Sequence, residues 1–154
     1  MMKRLTDVVW LLVFVAGVGA FSPAPAAAQT SAGIRAGLSV NPDQFYFGGH
    51  VETPPLVDQL RFKPNVEIGV GNDLTVVAMN IEFAYVFPSQ RDWNVYAGGG
   101  PALVVVDTRA DTDSGGGFNL LVGAAHQSGL FMEFKVGVVD SPDLKIGVGY
   151  SFGR

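Results

Sequence analysis

The sequence predicts an all-β fold: an eight-stranded antiparallel up-and-down transmembrane β-barrel. Three observations lead to it. From about residue 31 to residue 152, apolar residues alternate with small or polar ones, the period of strands whose two faces meet different surroundings. Hydrophobic residues make up 48% of the 154-residue chain, yet beyond the first 28 residues no apolar run approaches the ~18–20 that a spanning helix needs. Turn signals cut the chain into an even number of strands, which brings both termini to one end, as an up-and-down barrel requires.

The beginning of the chain stands apart. Lys3 and Arg4 precede an apolar run from Val8 to Phe21, and Ser22-Pro23-Ala24-Pro25-Ala26-Ala27-Ala28 follows. A charged end, a short apolar centre and Ala-x-Ala form a secretory signal peptide, with the cut expected after Ala28. The chain therefore reads as a removed signal peptide, residues 1–28, and one barrel domain, residues 29–154. There is no cysteine, which removes disulfides, thiolate chemistry and an acylated N-terminal Cys. A net charge of −4 without a basic cluster argues against a nucleic-acid partner. Twenty glycines with only 16% charged residues suit a membrane barrel better than a helical membrane protein.

Each expected strand follows from its own alternation. Residues 33–40 set Ile34, Ala36, Leu38 and Val40 against Arg35, Gly37 and Ser39, and Asn41-Pro42-Asp43 makes the turn. Residues 44–51 set Phe45, Phe47 and Val51 against Tyr46, Gly48 and His50, and Glu52-Thr53-Pro54-Pro55 breaks the pairing. Residues 60–70 alternate most clearly, and Gly71-Asn72-Asp73 marks a tight hairpin. Residues 75–87 carry Val77, Met79, Ile81, Phe83 and Tyr85 against Asn80 and Glu82. Residues 93–106 have an ambiguous face, and Gly98-Gly99-Gly100-Pro101 suggests a bulge or bend. Residues 107–117, polar and Gly-rich, read as the longest loop. Residues 118–125 and 130–138 form the next hairpin, through His126-Gln127-Ser128-Gly129. Asp140-Ser141-Pro142-Asp143 leads into the last strand.

That last strand, 144–152, has Leu144, Ile146, Val148, Tyr150 and Phe152 on one side and Lys145, Gly147, Gly149 and Ser151 on the other. It resembles the C-terminal signature of bacterial outer-membrane barrels, with Lys145, Gly147, Tyr150 and Phe152 in the signature places; Gly153 and Arg154 run past the usual stop. With Lys63-Pro64-Asn65-Val66-Glu67-Ile68-Gly69, Tyr96-Ala97-Gly98-Gly99-Gly100 and Phe131-Met132-Glu133-Phe134-Lys135, the chain from Ser31 to Phe152 resembles the small eight-stranded outer-membrane barrel family. This is the opacity-like group, related in build to the transmembrane parts of outer membrane proteins A and X. The resemblance implies residence in the cell outer membrane of a Gram-negative bacterium. It also implies contact with outer-membrane lipid and lipopolysaccharide, and handling by the barrel-assembly machinery through Lys145, Gly147, Tyr150 and Phe152. It implies little about activity, since members include adhesins, porin-like proteins and structural barrels.

The strand acids, Glu67, Glu82 and Glu133, share faces with Arg35, Arg61, Lys63, Lys135 and Lys145, opposite the aromatic faces. In a closed barrel this is the interior, where a narrow lumen brings unlike charges together. The expectation is a paired network that fills the lumen without an open pore, over a selectivity or proton path or a catalytic carboxylate pair. A turn at Gly71-Asn72 places Glu82 opposite Arg61; a turn one residue later places it opposite Lys63. Every aspartate beyond the signal, Asp107 and Asp113 among them, is expected in a turn or loop. His126-x-Ser128 resembles the nucleophile motif of lipid A deacylases, but Gly129 stands where that motif has Asn, and the stretch reads more simply as a turn. His50 is expected as a packed polar residue. Two histidines and no cysteine argue against a transition-metal site, and Asp107, Asp111 and Asp113 are a weak calcium signal beside Arg109. No cofactor and no enzyme activity are expected, and the role is structural or interactional. A porin-like passage for small solutes is the alternative, ahead of a deacylase or a soluble lipocalin-like binder. The sequence does not determine the oligomeric state.

Overall fold

The computed structural model describes residues 30–139 and 141–153; the expected signal peptide at 1–28 lies outside them. Eight strands run in chain order: β1 (Ser31–Val40), β2 (Gln44–Glu52), β3 (Leu60–Phe62 and Asn65–Gly71), β4 (Leu74–Asn80 and Phe83–Val86), β5 (Trp93–Thr108), β6 (Thr112–His126), β7 (Leu130–Val139) and β8 (Leu144–Phe152). Each pairs antiparallel with its chain neighbours, and β1 pairs with β8 from Ala32↔Phe152 to Val40↔Leu144, which closes the barrel. β3 and β4 are interrupted side by side. Pro64 has no N–H to give to a ladder, but its carbonyl still accepts from Val51 at 3.0 Å, and Lys63 donates to the Glu82 carbonyl at 2.7 Å. The wall is therefore continuous through the break.

The faces are inverted relative to a water-soluble barrel. Among the described residues, 29 large hydrophobic side chains are exposed, against 11 buried hydrophobic residues, while 16 polar or charged residues are buried. A soluble domain shows the opposite balance and rarely leaves so wide an apolar face uncovered. Ten residues of β1 at about 3.4 Å each, tilted by about 40°, rise roughly 26 Å, close to the ~25 Å apolar band of outer-membrane barrels. Tyr85, Phe87, Trp93, Tyr150 and Phe152 are exposed at the end that holds the termini.

The structure corrects four expectations. Residues 107–117 are not a loop: β5 and β6 stay paired from Ala102↔Gly117 to Asp107↔Thr112, and only 109–111 turn. Composition reads this stretch as irregular, but β5 is already held by β4 up to Leu74↔Thr108 and offers β6 a template. Asp107 and Asp113 consequently lie in strands. Gly98–Pro101 carries no bulge, since β5 keeps one register along both halves of β4; the irregularity sits between Phe118 and Asn119, where β6 meets β7. Glu52 ends β2 with its side chain buried rather than in the break. The other connections at the end opposite the termini are short, and the Asn72-Asp73 turn is closed by Gly71↔Leu74, with Asp73 at φ +62°.

Candidate functional site

Among the described residues, chemistry-bearing side chains converge in the interior. They come from period-two positions on six strands, so the cluster exists only because the sheet is closed. Glu67 on β3 meets Lys145 Nζ at 2.7 Å, Lys135 Nζ at 3.0 Å and Arg35 Nη1 at 3.2 Å. Glu133 on β7 meets Arg35 Nη1 at 3.0 Å, Lys63 Nζ at 3.3 Å and Lys135 Nζ at 3.4 Å, and accepts from the Tyr96 hydroxyl at 2.8 Å. Glu82 on β4 meets Lys135 Nζ at 2.8 Å. Lys135 therefore touches all three carboxylates, and it is 1% exposed while Glu82 is 0%.

Glu82 lies opposite Lys63 in the ladder, because the hairpin turns at Asn72-Asp73. Its carboxylate nevertheless pairs with Lys135, and Lys63 reaches across to Glu133. In a narrow barrel the lumen is shorter to cross than the wall is to follow. Arg61 stands apart, at the rim beside the termini. It is 26% exposed at its side chain and pairs with Glu52 at 2.7 Å.

An amide chain extends the network. Asn65 donates to Glu82 at 2.7 Å, Asn80 donates to Asn65 at 2.8 Å, and Asn119 donates to Asn80 at 2.9 Å. Asn80 and Asn119 flank β5 and meet where it presents only Ala102 and Gly100. Apolar side chains bound the network on two sides, with Ala84, Val86, Tyr96, Leu121, Ala125 and Phe131 in one cluster and Val76, Ala78, Ala102 and Val104 in the other.

Four rings point inward, and each has a glycine as its cross-strand partner: Tyr46↔Gly37, His50↔Gly33, Tyr96↔Gly123 and Phe131↔Gly149. A methyl group at Gly33, Gly123 or Gly149 would run into the ring, and one at Gly37 into the Tyr46 hydroxyl and the β8 backbone. The ring covers the bare backbone and the glycine makes room for it, a pairing used to hold register in curved sheets. Lys63 Nζ lies 4.1 Å from the Tyr96 ring centre, a cation–π contact within the charged cluster.

Sequence reasoning missed Glu52, Tyr96, Phe131 and the asparagines. Tyr96 was hidden by the ambiguous face of β5; the signal that finds it is the alternation Tyr96, Gly98, Gly100, Ala102, Val104, which runs along the inner wall. His50 is buried, with Nε2 at 2.9 Å from Ser151 Oγ.

The other candidates do not converge on chemistry. His126 Nδ1 accepts the Ser128 amide at 3.1 Å and stands 2.8 Å from its hydroxyl, on an exposed turn. Asp92 reaches that turn through its backbone carbonyl, and Glu133 is committed to the interior, so among the described residues no carboxylate is seen to pair with the histidine as nucleophilic catalysis requires. Asp107 holds Thr112 at 2.7 Å, and among the described residues no group of three or more acids or histidines could ligate a metal. In β8, Lys145 and Gly147 face inward while Tyr150 and Phe152 lie outside with ring centres 5.2 Å apart.

No protein-family model matches the chain, and no curated protein matches it by sequence. Solved structures do match by fold. Neisserial surface protein A (NspA) superposes with a TM-score of 0.61 at 14% identity, over 82% of this chain and 99% of that one. The N-terminal β-barrel domain of Pseudomonas aeruginosa OprF gives 0.57 at 14%, over 81% and 99%. The fold is that of the eight-stranded outer-membrane barrels.

Proposed function

We propose that this chain is an integral outer-membrane protein of a Gram-negative bacterium, with a structural or surface-interaction role and no catalytic activity. The observation that carries the reading is the inversion of the barrel: apolar and aromatic side chains outside, and ion pairs inside with almost no exposed surface. Charged groups at the centre of the lumen support a closed interior over a porin-like passage, because conduction requires those pairs to part. In this reading the termini lie in the periplasm, the short turns face outward, and the partners are outer-membrane lipid and lipopolysaccharide. Lys145, Gly147, Tyr150 and Phe152 then serve as the signal read by the barrel-assembly machinery.

The chain has no cysteine, so single spin labels need no background removal. In vesicles, labels at Phe134 and Ile146 are expected to report lipid, and a label at Ser114 water. Unboiled protein is expected to migrate faster than boiled protein on a gel, and planar bilayers to show no steady conductance. Labels at Phe134 and Ile146 that report water, in a periplasmic protein indifferent to boiling, would overturn the reading.

A further inference from the structure

The interior charges do not balance. Among the described residues, four buried cationic side chains (Arg35, Lys63, Lys135, Lys145) face three carboxylates (Glu67, Glu82, Glu133), while Arg61 and Glu52 pair at the rim, which leaves one positive charge in excess in the interior. An uncompensated buried charge is among the most costly features a fold can carry. The unmet hydrogen-bonding capacity lies close by. Arg35 gives only Nη1 to carboxylates, and its Nε and Nη2 are buried without a partner, as is Nδ1 of His50. Arg35 is 5% exposed and His50 4%.

These groups are neighbours. Arg35 lies opposite Gly48 and His50 opposite Gly33, so the two side chains are diagonal on the inner wall. Both border the Phe131 ring: the guanidinium carbon is 5.4 Å from its centre, and the imidazole meets it edge to face at 5.1 Å. Lys63 Nζ lies 5.3 Å from the same ring centre and makes only a long 3.3 Å hydrogen bond to Glu133. A guanidinium and an ammonium can only donate. Donors gathered around one ring, two of them over it, with a net positive charge, call for an acceptor that is itself negative.

We propose that the barrel interior binds one small monovalent anion, of the chloride class, between Arg35 Nε and Nη2 and His50 Nδ1, with Lys63 alongside. The proposal requires one tautomer: the Ser151 hydroxyl, 2.9 Å from Nε2, donates to it, and the imidazole proton sits on Nδ1 and serves the ion. The anion completes the charge balance of the lumen and ties β1 to β2 beside the closing strand. The inference rests on the interior geometry and stands whatever the protein contacts at the surface.

The test begins with protein refolded from urea into detergent in sodium gluconate, then titrated with sodium chloride at constant ionic strength. Stability is expected to rise with the logarithm of chloride concentration, the folding constant gaining about 100-fold once chloride is 100-fold above its dissociation constant. Arg35→Lys keeps the charge but loses Nε and Nη2, and is expected to fold with the chloride dependence abolished. Crystals of the unaltered protein grown in bromide are expected to show an anomalous peak between Arg35 and His50. Equal stability in chloride and gluconate with no bromide peak would mean that water satisfies these donors, and would overturn the proposal. So would an Arg35→Lys variant with undiminished chloride dependence.

Discussion

Glu133→Gln isolates the energy of the interior network. Glutamine keeps the volume and one carbonyl oxygen, so packing and the Tyr96 bond at 2.8 Å can persist. What is lost is the charge shared by Arg35 at 3.0 Å, Lys63 at 3.3 Å and Lys135 at 3.4 Å. Removing one member of a buried ion pair costs about 3–5 kcal/mol, because its partners stay buried without compensation. With a urea dependence of about 2 kcal/mol per M, the unfolding midpoint falls by roughly 2 M. Trp93 is the single tryptophan beyond residue 28 and lies on the outer face, so its fluorescence follows unfolding in vesicles. Adding Lys63→Met should recover part of the loss, since the two sites share one interaction. Arg109→Ala is the control. The Arg109–Asp73 pair is shorter, at 2.6 Å, but its side chains are 84% and 65% exposed, and such pairs contribute only about 0–1 kcal/mol. A Glu133→Gln cost below about 1 kcal/mol would refute the view that burial, rather than distance, sets the worth of these pairs.

Three further outcomes are expected. Gly123→Ala and Gly147→Ala place a methyl group against the Tyr96 and Tyr46 rings and should each lower stability by about 1–3 kcal/mol, while Gly116→Ala, with open space around it, should be near neutral in the same urea titration. Phe134→Arg puts a charge on the exposed apolar face and should cost about 2–4 kcal/mol in a bilayer if that position lies near the midplane, read from folding equilibria in vesicles. Ser128→Ala should leave lipid A acylation unchanged by mass spectrometry, because among the described residues no carboxylate pairs with His126 behind the His126–Ser128 contact.

How far the fold was legible in the sequence depends on what each residue faces. Along 60–70 and 144–152 the two faces are as different as an exposed apolar wall and a charged lumen, and the alternation is strong enough to set strand and side together. The charged cluster was legible for the same reason, since Lys135 and Glu133 could only be inside if Phe134 was outside. Which cation meets which carboxylate was not legible, because contacts across the lumen depend on closure and not on ladder register. The strand character of Thr112–Gly117 was hidden as well. Aspartate and glycine have low strand propensity, and what holds them is the neighbouring β5 backbone. Phe131 and Tyr96 break the simple rule that aromatics face lipid; their places follow from the glycines opposite them, a relation that appears only once strands are paired.

The span of the interior ion pairs has a consequence for how the barrel comes into being. Arg35 and Glu133 are 98 residues apart, Lys145 and Glu67 78, and Lys63 and Glu133 70. Such distant partners meet late, after the intervening chain has been ordered. Until β8 docks on β1, the half-formed sheet is a trough of unneutralised charge, which hydrocarbon will not accept and water will. In the proposed outer-membrane setting, assembly must therefore keep the concave side wet while the convex side already lies in lipid. The last event is a seam closing with the expulsion of that water, and a chain stalled one strand short is not a slightly weaker barrel but an open vessel.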